Sequence, residues 1–146
     1  MNNQPSIKSR MNNAEAAPAS QRQPFVGSWS LEGHSQRLNG VFPMMWSLTS
    51  DGIMFANKSH RAFESTAHGS WISTGKTTAA FTFRALIGSE SGGLSMSIKV
   101  VGIINYDAAT DTIQGSQKVF RDGEDGVVDR TTFHGARIAV EALTDA

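Results

Sequence analysis

Apolar and polar residues alternate along short runs of the chain between Phe25 and Ile138, and each run ends in turn-forming residues. Alternation with a period of two places successive side chains on opposite faces of a strand. About eight such runs follow one another, with no convincing helical period between them. A meander of this kind needs closure, because an open sheet leaves unpaired edges. The pattern therefore predicts an all-β fold, an eight-stranded antiparallel up-and-down β-barrel.

Most of the predicted strands have one apolar face, which should point into the barrel. The sixth run shows the cleanest alternation, with Leu94, Met96 and Ile98 at its start and Tyr106 at its end on one face. The eighth run, 127–138, is ambiguous because the neighbouring residues Phe133 and His134 compete for the interior. Propensity does not decide between those two residues.

The connections differ in length, which gives the barrel a direction. Tight turns such as Ser50-Asp51-Gly52 and Thr74-Gly75 alternate with longer, more polar loops over 33–40 and 57–65. Alternate connections of an up-and-down barrel lie at opposite ends. One end should therefore be closed, and the other, which carries the long loops, should be a mouth.

A barrel of eight strands either is filled by side chains or holds one small ligand. Flexible methionines at 44, 45, 54 and 96 suit an irregular apolar ligand, and small residues at 85, 102 and 115 reduce the side-chain volume inside. These features favour a mainly apolar pocket over a solid core. The candidate ligand-binding residues are Phe42, Met44, Trp46, Phe55, Trp71, Phe81, Phe83, Met96, Ile98, Tyr106 and Gln117.

Few residues are candidates for catalysis. His68 begins the fourth strand near the predicted mouth, Glu64 lies on the preceding loop, and Arg121 ends the seventh strand. A histidine beside a carboxylate and an arginine supplies a general base and an anion clamp, as enolisation or cyclisation requires. His34 and His60 lie on the long loops. For each of these residues, a solvated loop position is the simpler interpretation.

Composition narrows the function classes. The 146 residues include 13 basic residues, Lys plus Arg, and 13 acidic residues, Asp plus Glu. The chain therefore has no net positive charge that would attract nucleic acid or an anionic membrane. No cysteine is present and the four histidines are widely spaced, so no metal site or cofactor is predicted. A haem barrel with His134 as axial ligand is a minor alternative. We expect a flexible polar tail at 1–24, one barrel domain at 25–140 and a short tail at 141–146.

The run Phe25-Val26-Gly27-Ser28-Trp29 resembles the Gly-x-Trp motif that opens the first strand of lipocalins and related calycin barrels. The resemblance covers 25–138 and extends to small bacterial lipocalin-like proteins through His68-Gly69-Ser70-Trp71. It implies that Arg137 packs across Trp29 at the closed end. Allene oxide cyclase-like and dirigent-like barrels, some of them bacterial cyclases of secondary metabolism, remain an alternative resemblance.

Two function classes remain. The first is a module that binds a small hydrophobic metabolite in the barrel cavity. The second is a cyclase or isomerase that folds a flexible apolar substrate, polyketide- or terpene-like, inside the barrel and relies on shape and one or two polar groups. Without an apolar run long enough for a secretory signal or a membrane span, the chain is expected to be cytoplasmic, with homo-oligomerisation left open.

Overall fold

The computed structural model describes residues 22–59 and 63–143. A short 3-10 turn, Gln23–Phe25, precedes eight strands. The strands are β1 (Gly27–Ser35), β2 (Gly40–Leu48), β3 (Ile53–Lys58), β4 (Ala67–Ser73), β5 (Thr78–Gly88), β6 (Leu94–Asp107), β7 (Thr112–Arg121) and β8 (Val127–Arg137). Among the described residues, no helix has the length and apolar character needed to cross a membrane.

Each strand pairs antiparallel with the next, and β8 pairs with β1 to close the barrel. The closing register sets Trp29 opposite Arg137 and Ser35 opposite Thr131. Closure leaves no sheet edge open to other chains, which is the physical reason a meander of alternating strands adopts this form. The predicted eight-stranded antiparallel up-and-down barrel is confirmed.

Connections 49–52, 74–77 and 108–111 lie at one end of the barrel, and connections 36–39, 59–66, 89–93 and 122–126 lie at the other. The first of the mouth connections is shorter than predicted. Pairing of β1 with β2 continues as far as Ser35 opposite Gly40, so only four residues of the expected long loop over 33–40 remain unpaired. The connection 59–66 is the longest at the mouth, and its residues 60–62 lie outside the described part of the chain.

A cluster of aromatic rings fills the closed end. Phe25 lies 5.8 Å from Trp71 and 6.1 Å from Tyr106 between ring centroids, and Trp29 lies 6.4 Å from Tyr106. The indole N–H of Trp29 donates to the carbonyl oxygen of Phe25 at 3.0 Å. Buried indole needs such an acceptor, so the turn before β1 both covers the barrel base and satisfies its tryptophan.

Arg137 packs over this cluster. Its guanidinium carbon lies 4.4 Å from the centre of the Trp29 ring. Its Nη1 and Nη2 donate to the carbonyl oxygens of Val26 and Pro24 at 2.6 and 2.8 Å, and its Nε donates to Asp111 at 3.0 Å. The expected contact between Arg137 and Trp29 at the closed end is confirmed.

A second aromatic layer crosses the barrel above the closed-end cluster. Trp46 lies 5.0 Å from Phe81 and 4.6 Å from Phe133, and Phe81 stacks on Phe83 at 5.7 Å. We call Trp46, Phe81, Phe83 and Phe133 the aromatic floor. Phe133 is buried and His134 is exposed, which resolves the ambiguity of the last strand.

Some interior predictions are wrong. A Cβ at Gly102 would lie 2.5 Å from the Phe81 ring, and one at Gly115 would lie 2.6 Å from the Phe133 ring. Aromatic rings therefore occupy the space that these glycines leave. Met45 is exposed on the outer face of β2, and Met54 is fully buried. Met44 and Met96 lie beside cavities.

Candidate functional site

A cavity of about 390 Å³ lies at the mouth of the barrel. Apolar side chains from four strands form much of its wall, because every second residue of a closed barrel strand points inward. These side chains are Phe42, Met96, Ile98, Val119 and Val128. Its volume falls at the lower end of the range of small-molecule sites, which is about 300 to 1,000 Å³.

Charged groups also line this mouth cavity. Arg37, Lys58, Arg121 and Asp129 all border it. The carboxylate of Asp129 already has hydrogen-bond donors in the protein. It accepts one hydrogen bond from the Ser35 hydroxyl at 2.6 Å and one from the backbone N–H of Arg37 at 3.0 Å. Within the described residues, the guanidinium groups of Arg37 and Arg121 form no hydrogen bond or ion pair. The mouth therefore presents two cationic groups ready for an anion.

A smaller void, which we call the deep void, lies beside the aromatic floor. It measures about 30 Å³ and is bordered by Met44, Trp46 and Phe83, and its polar lining consists of Asn57, Lys58, Glu64, Ser65 and Gln117. Lys58 Nζ lies 3.5 Å from Glu64 Oε1, and the Glu64 side chain is only 7% exposed. Lys58 borders both the mouth cavity and the deep void.

Two acceptor atoms of residues at the deep void have no partner in the described part of the chain. Glu64 Oε2 and Gln117 Oε1 are buried, and neither receives a hydrogen bond from a described residue. Both residues border the same void. Buried polar atoms are normally satisfied, so an unpaired pair facing one small space marks a position for a donor.

Local pairing explains how Glu64 reaches the interior. The ladder between β3 and β4 ends where Ala56 pairs with Ala67, so the two strands separate at the mouth. The segment before β4 then lies along β5, with Ser65 N–H donating to Leu86 at 2.9 Å and Gly88 N–H donating to Phe63 at 2.7 Å. Glu64 itself bridges to Ile87. This segment covers the gap and turns Glu64 inward.

The perturbed titrating groups at the closed end are not part of this site. Hydrogen bonds from Arg137 hold the pKa of Asp111 below its ordinary value of 3.8. The hydrogen bond from Tyr106 to Asp111, at 2.9 Å, raises the pKa of that phenol. The aromatic floor lies between these groups and the mouth.

The structure distributes the predicted ligand-binding residues over three levels. Phe42, Met96 and Ile98 line the mouth cavity, whereas Met44, Trp46, Phe83 and Gln117 border the deep void. Phe81 is packed within the aromatic floor. Trp71 and Tyr106 face inward as predicted but lie in the closed-end cluster, which removes them from the mouth.

The predicted position of Phe55 is wrong. Phe55 is 38% exposed on the outer wall, because inward positions of β3 belong to its neighbours Met54 and Ala56. Its ring contacts that of His68, which also lies on the outer wall, with centroids 5.4 Å apart. These two residues therefore form an external contact and do not line the barrel interior.

The predicted catalytic residues are not brought together. His68 is on the outer wall, Glu64 borders the deep void and Arg121 borders the mouth cavity. His34 also faces outward, and His60 lies outside the described residues. His134 faces outward with Glu32 at 3.8 Å, so it is not placed as an axial ligand inside the barrel. The polar residues that sequence reasoning missed are Arg37, Lys58 and Asp129.

The sequence pattern could have indicated that the Lys58 side chain points into the barrel. It continues the inward series of Met54 and Ala56 by one more step of two residues. A lysine at such a position normally marks the end of the buried face. Here the partner of Lys58 is Glu64. The alternation of residues along a strand does not reveal this ion pair, because a loop separates the two residues.

Comparison with solved structures supports the fold. The chain is similar to the structure of EF1p2_mFAP2b bound to DFHBI, with a TM-score of 0.56 and 15% identity. The similarity covers 82% of this chain and 98% of the other. At this identity the likeness shows a shared fold alone. No protein-family model matches the chain, and a search of curated proteins found no match.

Proposed function

We propose that the barrel binds a small, mostly apolar molecule with one anionic group in its mouth cavity. The observation that carries this proposal is an open cavity of about 390 Å³ with apolar walls and the guanidinium groups of Arg37 and Arg121, which have no partner among the described residues. The aromatic floor closes the cavity from below, so a ligand enters from the mouth. The structurally similar EF1p2_mFAP2b is bound to DFHBI, and this likeness supports the proposal of ligand binding.

The two kinds of lining have different roles. Burial of an apolar body against Phe42, Met96 and Val119 supplies affinity, at about 25 cal/mol for each Å² removed from water. The guanidinium groups orient the molecule, because each can form paired hydrogen bonds with a carboxylate, sulfonate or phosphate. Lys58 adds little to this attraction, since Glu64 already lies beside it.

A cyclase or isomerase remains the alternative from the sequence. The three side chains expected to act together lie in three different places, and we therefore propose binding as the function.

The test uses 8-anilinonaphthalene-1-sulfonate, a fluorescent probe with an apolar body and one anionic group. We expect saturable binding by the wild type and about fivefold weaker binding by Arg121→Gln, the loss of about 1 kcal/mol for a partly exposed charged contact. Arg130→Gln is the matched control, because Arg130 is exposed on the outer wall. Val119→Trp should abolish binding by filling the cavity.

Two results would contradict the proposal. One is the absence of probe binding to folded wild-type protein. The other is binding that Val119→Trp leaves unchanged, which would place the probe on the outer surface. Circular dichroism of each variant confirms that the barrel is intact before affinities are compared.

A further inference from the structure

We infer that the ligand carries an uncharged hydrogen-bond donor, a hydroxyl or N–H group, which occupies the deep void between Glu64 and Gln117. This inference rests on the proposed function and specifies the other end of the same ligand. The evidence is the pair of buried acceptors, Glu64 Oε2 and Gln117 Oε1, which belong to two residues lining one small space and have no donor among the described residues.

The deep void lies directly below the mouth cavity. β2 runs from the mouth to the closed end, and its inward residues are Phe42, Met44 and Trp46 in that order. Phe42 borders the mouth cavity, and the next two border the deep void. β7 gives the same order, with Val119 at the mouth cavity and Gln117 one inward step deeper. A molecule entering the mouth thus extends toward the void.

The size of the void limits what enters it. A space of about 30 Å³ admits one water-sized group and no ring. A hydroxyl or N–H group at the tip of a ligand is of that size, and it supplies the donor that the two acceptors lack among the described residues. The ligand body then remains above, against Phe42 and Met96.

Charge favours a neutral donor over an ammonium group. Lys58 lies 3.5 Å from Glu64, so the carboxylate already has a cationic partner. Arg37 and Arg121 add positive charge at the mouth above it, and Asp129 is held by Ser35. A second ammonium would be repelled by these groups, whereas a hydroxyl needs only the free acceptor oxygens.

The experiment compares 2-naphthol with 2-methoxynaphthalene, which have the same ring system but differ in the donor. Each is titrated as a competitor of 8-anilinonaphthalene-1-sulfonate. We expect 2-naphthol to bind the wild type about tenfold more tightly, as one hydrogen bond to a charged acceptor predicts. 2-Naphthylmethylamine, protonated at neutral pH, should bind more weakly than 2-naphthol.

Gln117→Met keeps the side-chain length and removes the amide acceptor. It should reduce the preference for 2-naphthol over 2-methoxynaphthalene to about threefold or less. Gln114→Met is the matched control, because Gln114 lies on the outer face of the same strand. Glu64→Gln is the second variant, and it should also reduce the preference.

The possible outcomes separate the two proposals. Equal affinity of the wild type for the two naphthalenes, with probe binding intact, would overturn this inference and leave the void to water alone. Failure of every compound to bind would overturn the proposed function as well. A tenfold preference that survives both Gln117→Met and Glu64→Gln would place the hydroxyl elsewhere and also overturn the inference.

Discussion

Replacement of Arg137 by methionine should destabilise the barrel without changing ligand affinity. Methionine keeps the apolar stem of the side chain but removes the guanidinium. That group contacts the Trp29 ring at 4.4 Å and donates to the carbonyl oxygens of Val26 and Pro24. It also donates to Asp111. One substitution therefore removes the side-chain contacts that the end of the last strand makes with the first strand and with the turn before it.

The expected magnitude follows from these contacts. The Arg137 side chain is 27% exposed, so the attraction of its guanidinium to the indole contributes about 1 kcal/mol, between the exposed and desolvated limits. Each of the two hydrogen bonds to carbonyl oxygens contributes about 1 kcal/mol net. The ion pair adds at most about 0.5 kcal/mol, because the carboxylate of Asp111 is 48% exposed. We expect the free energy of unfolding to fall by about 3 kcal/mol.

Urea unfolding monitored by tryptophan fluorescence measures this change, and thermal unfolding should show a fall in Tm of about 6 to 12 °C. Arg130→Met is the control, since a substitution on the exposed outer wall should change stability by less than about 0.5 kcal/mol. Equal stability losses in the two variants would refute the reasoning. A large loss of affinity for the fluorescent probe in Arg137→Met would also refute it, because the aromatic floor lies between Arg137 and the mouth.

Two further predictions concern the same end of the barrel. Arg137 lowers the pKa of Asp111 in the folded state. Ionised Asp111 therefore stabilises the folded state, and this stabilisation is complete above the unfolded-state pKa of about 3.8. It is lost as the pH falls toward the lower pKa of the folded state. The stability difference between wild type and Asp111→Asn in urea should therefore be larger at about pH 6 than at about pH 3, and a pH-independent difference would contradict this account. Gly27→Ala should be destabilising, because Gly27 has a φ of +131° and a Cβ there would lie 2.7 Å from Arg137 Nη1. Ser28→Ala at the next position is the comparison, and an equal, small effect of both would show that the glycine conformation is not required.

The sequence alone determined the barrel and its closed end. Period-two alternation needs only local information, since each residue's face follows from its parity within a strand. The end of the seventh strand at Arg121 was therefore predictable to the residue, and the start of the fourth to within one residue. The contact between Trp29 and Arg137 was also predictable, through the resemblance of the first strand to lipocalins.

Only the tertiary structure decided which part of the barrel interior is filled by side chains and which part holds a cavity. Parity places a residue inside the barrel, but its level along the barrel axis depends on how the strands are staggered. Trp71 faces inward as its alternation predicts, yet the stagger places it against Phe25 in the closed-end cluster. The glycines at 102 and 115 likewise leave no space, because rings from neighbouring strands cross over them.

The candidate site depended on tertiary structure for a related reason. Lys58 and Glu64 meet because β3 and β4 separate at the mouth and the intervening segment follows β5. Gln117 comes from a strand far along the chain, and borders the same void only once the barrel closes. Burial makes these polar groups informative, because an acceptor without a donor is costly only when water is excluded. Their exclusion from water is a property of the closed barrel, and no local pattern in the chain encodes it.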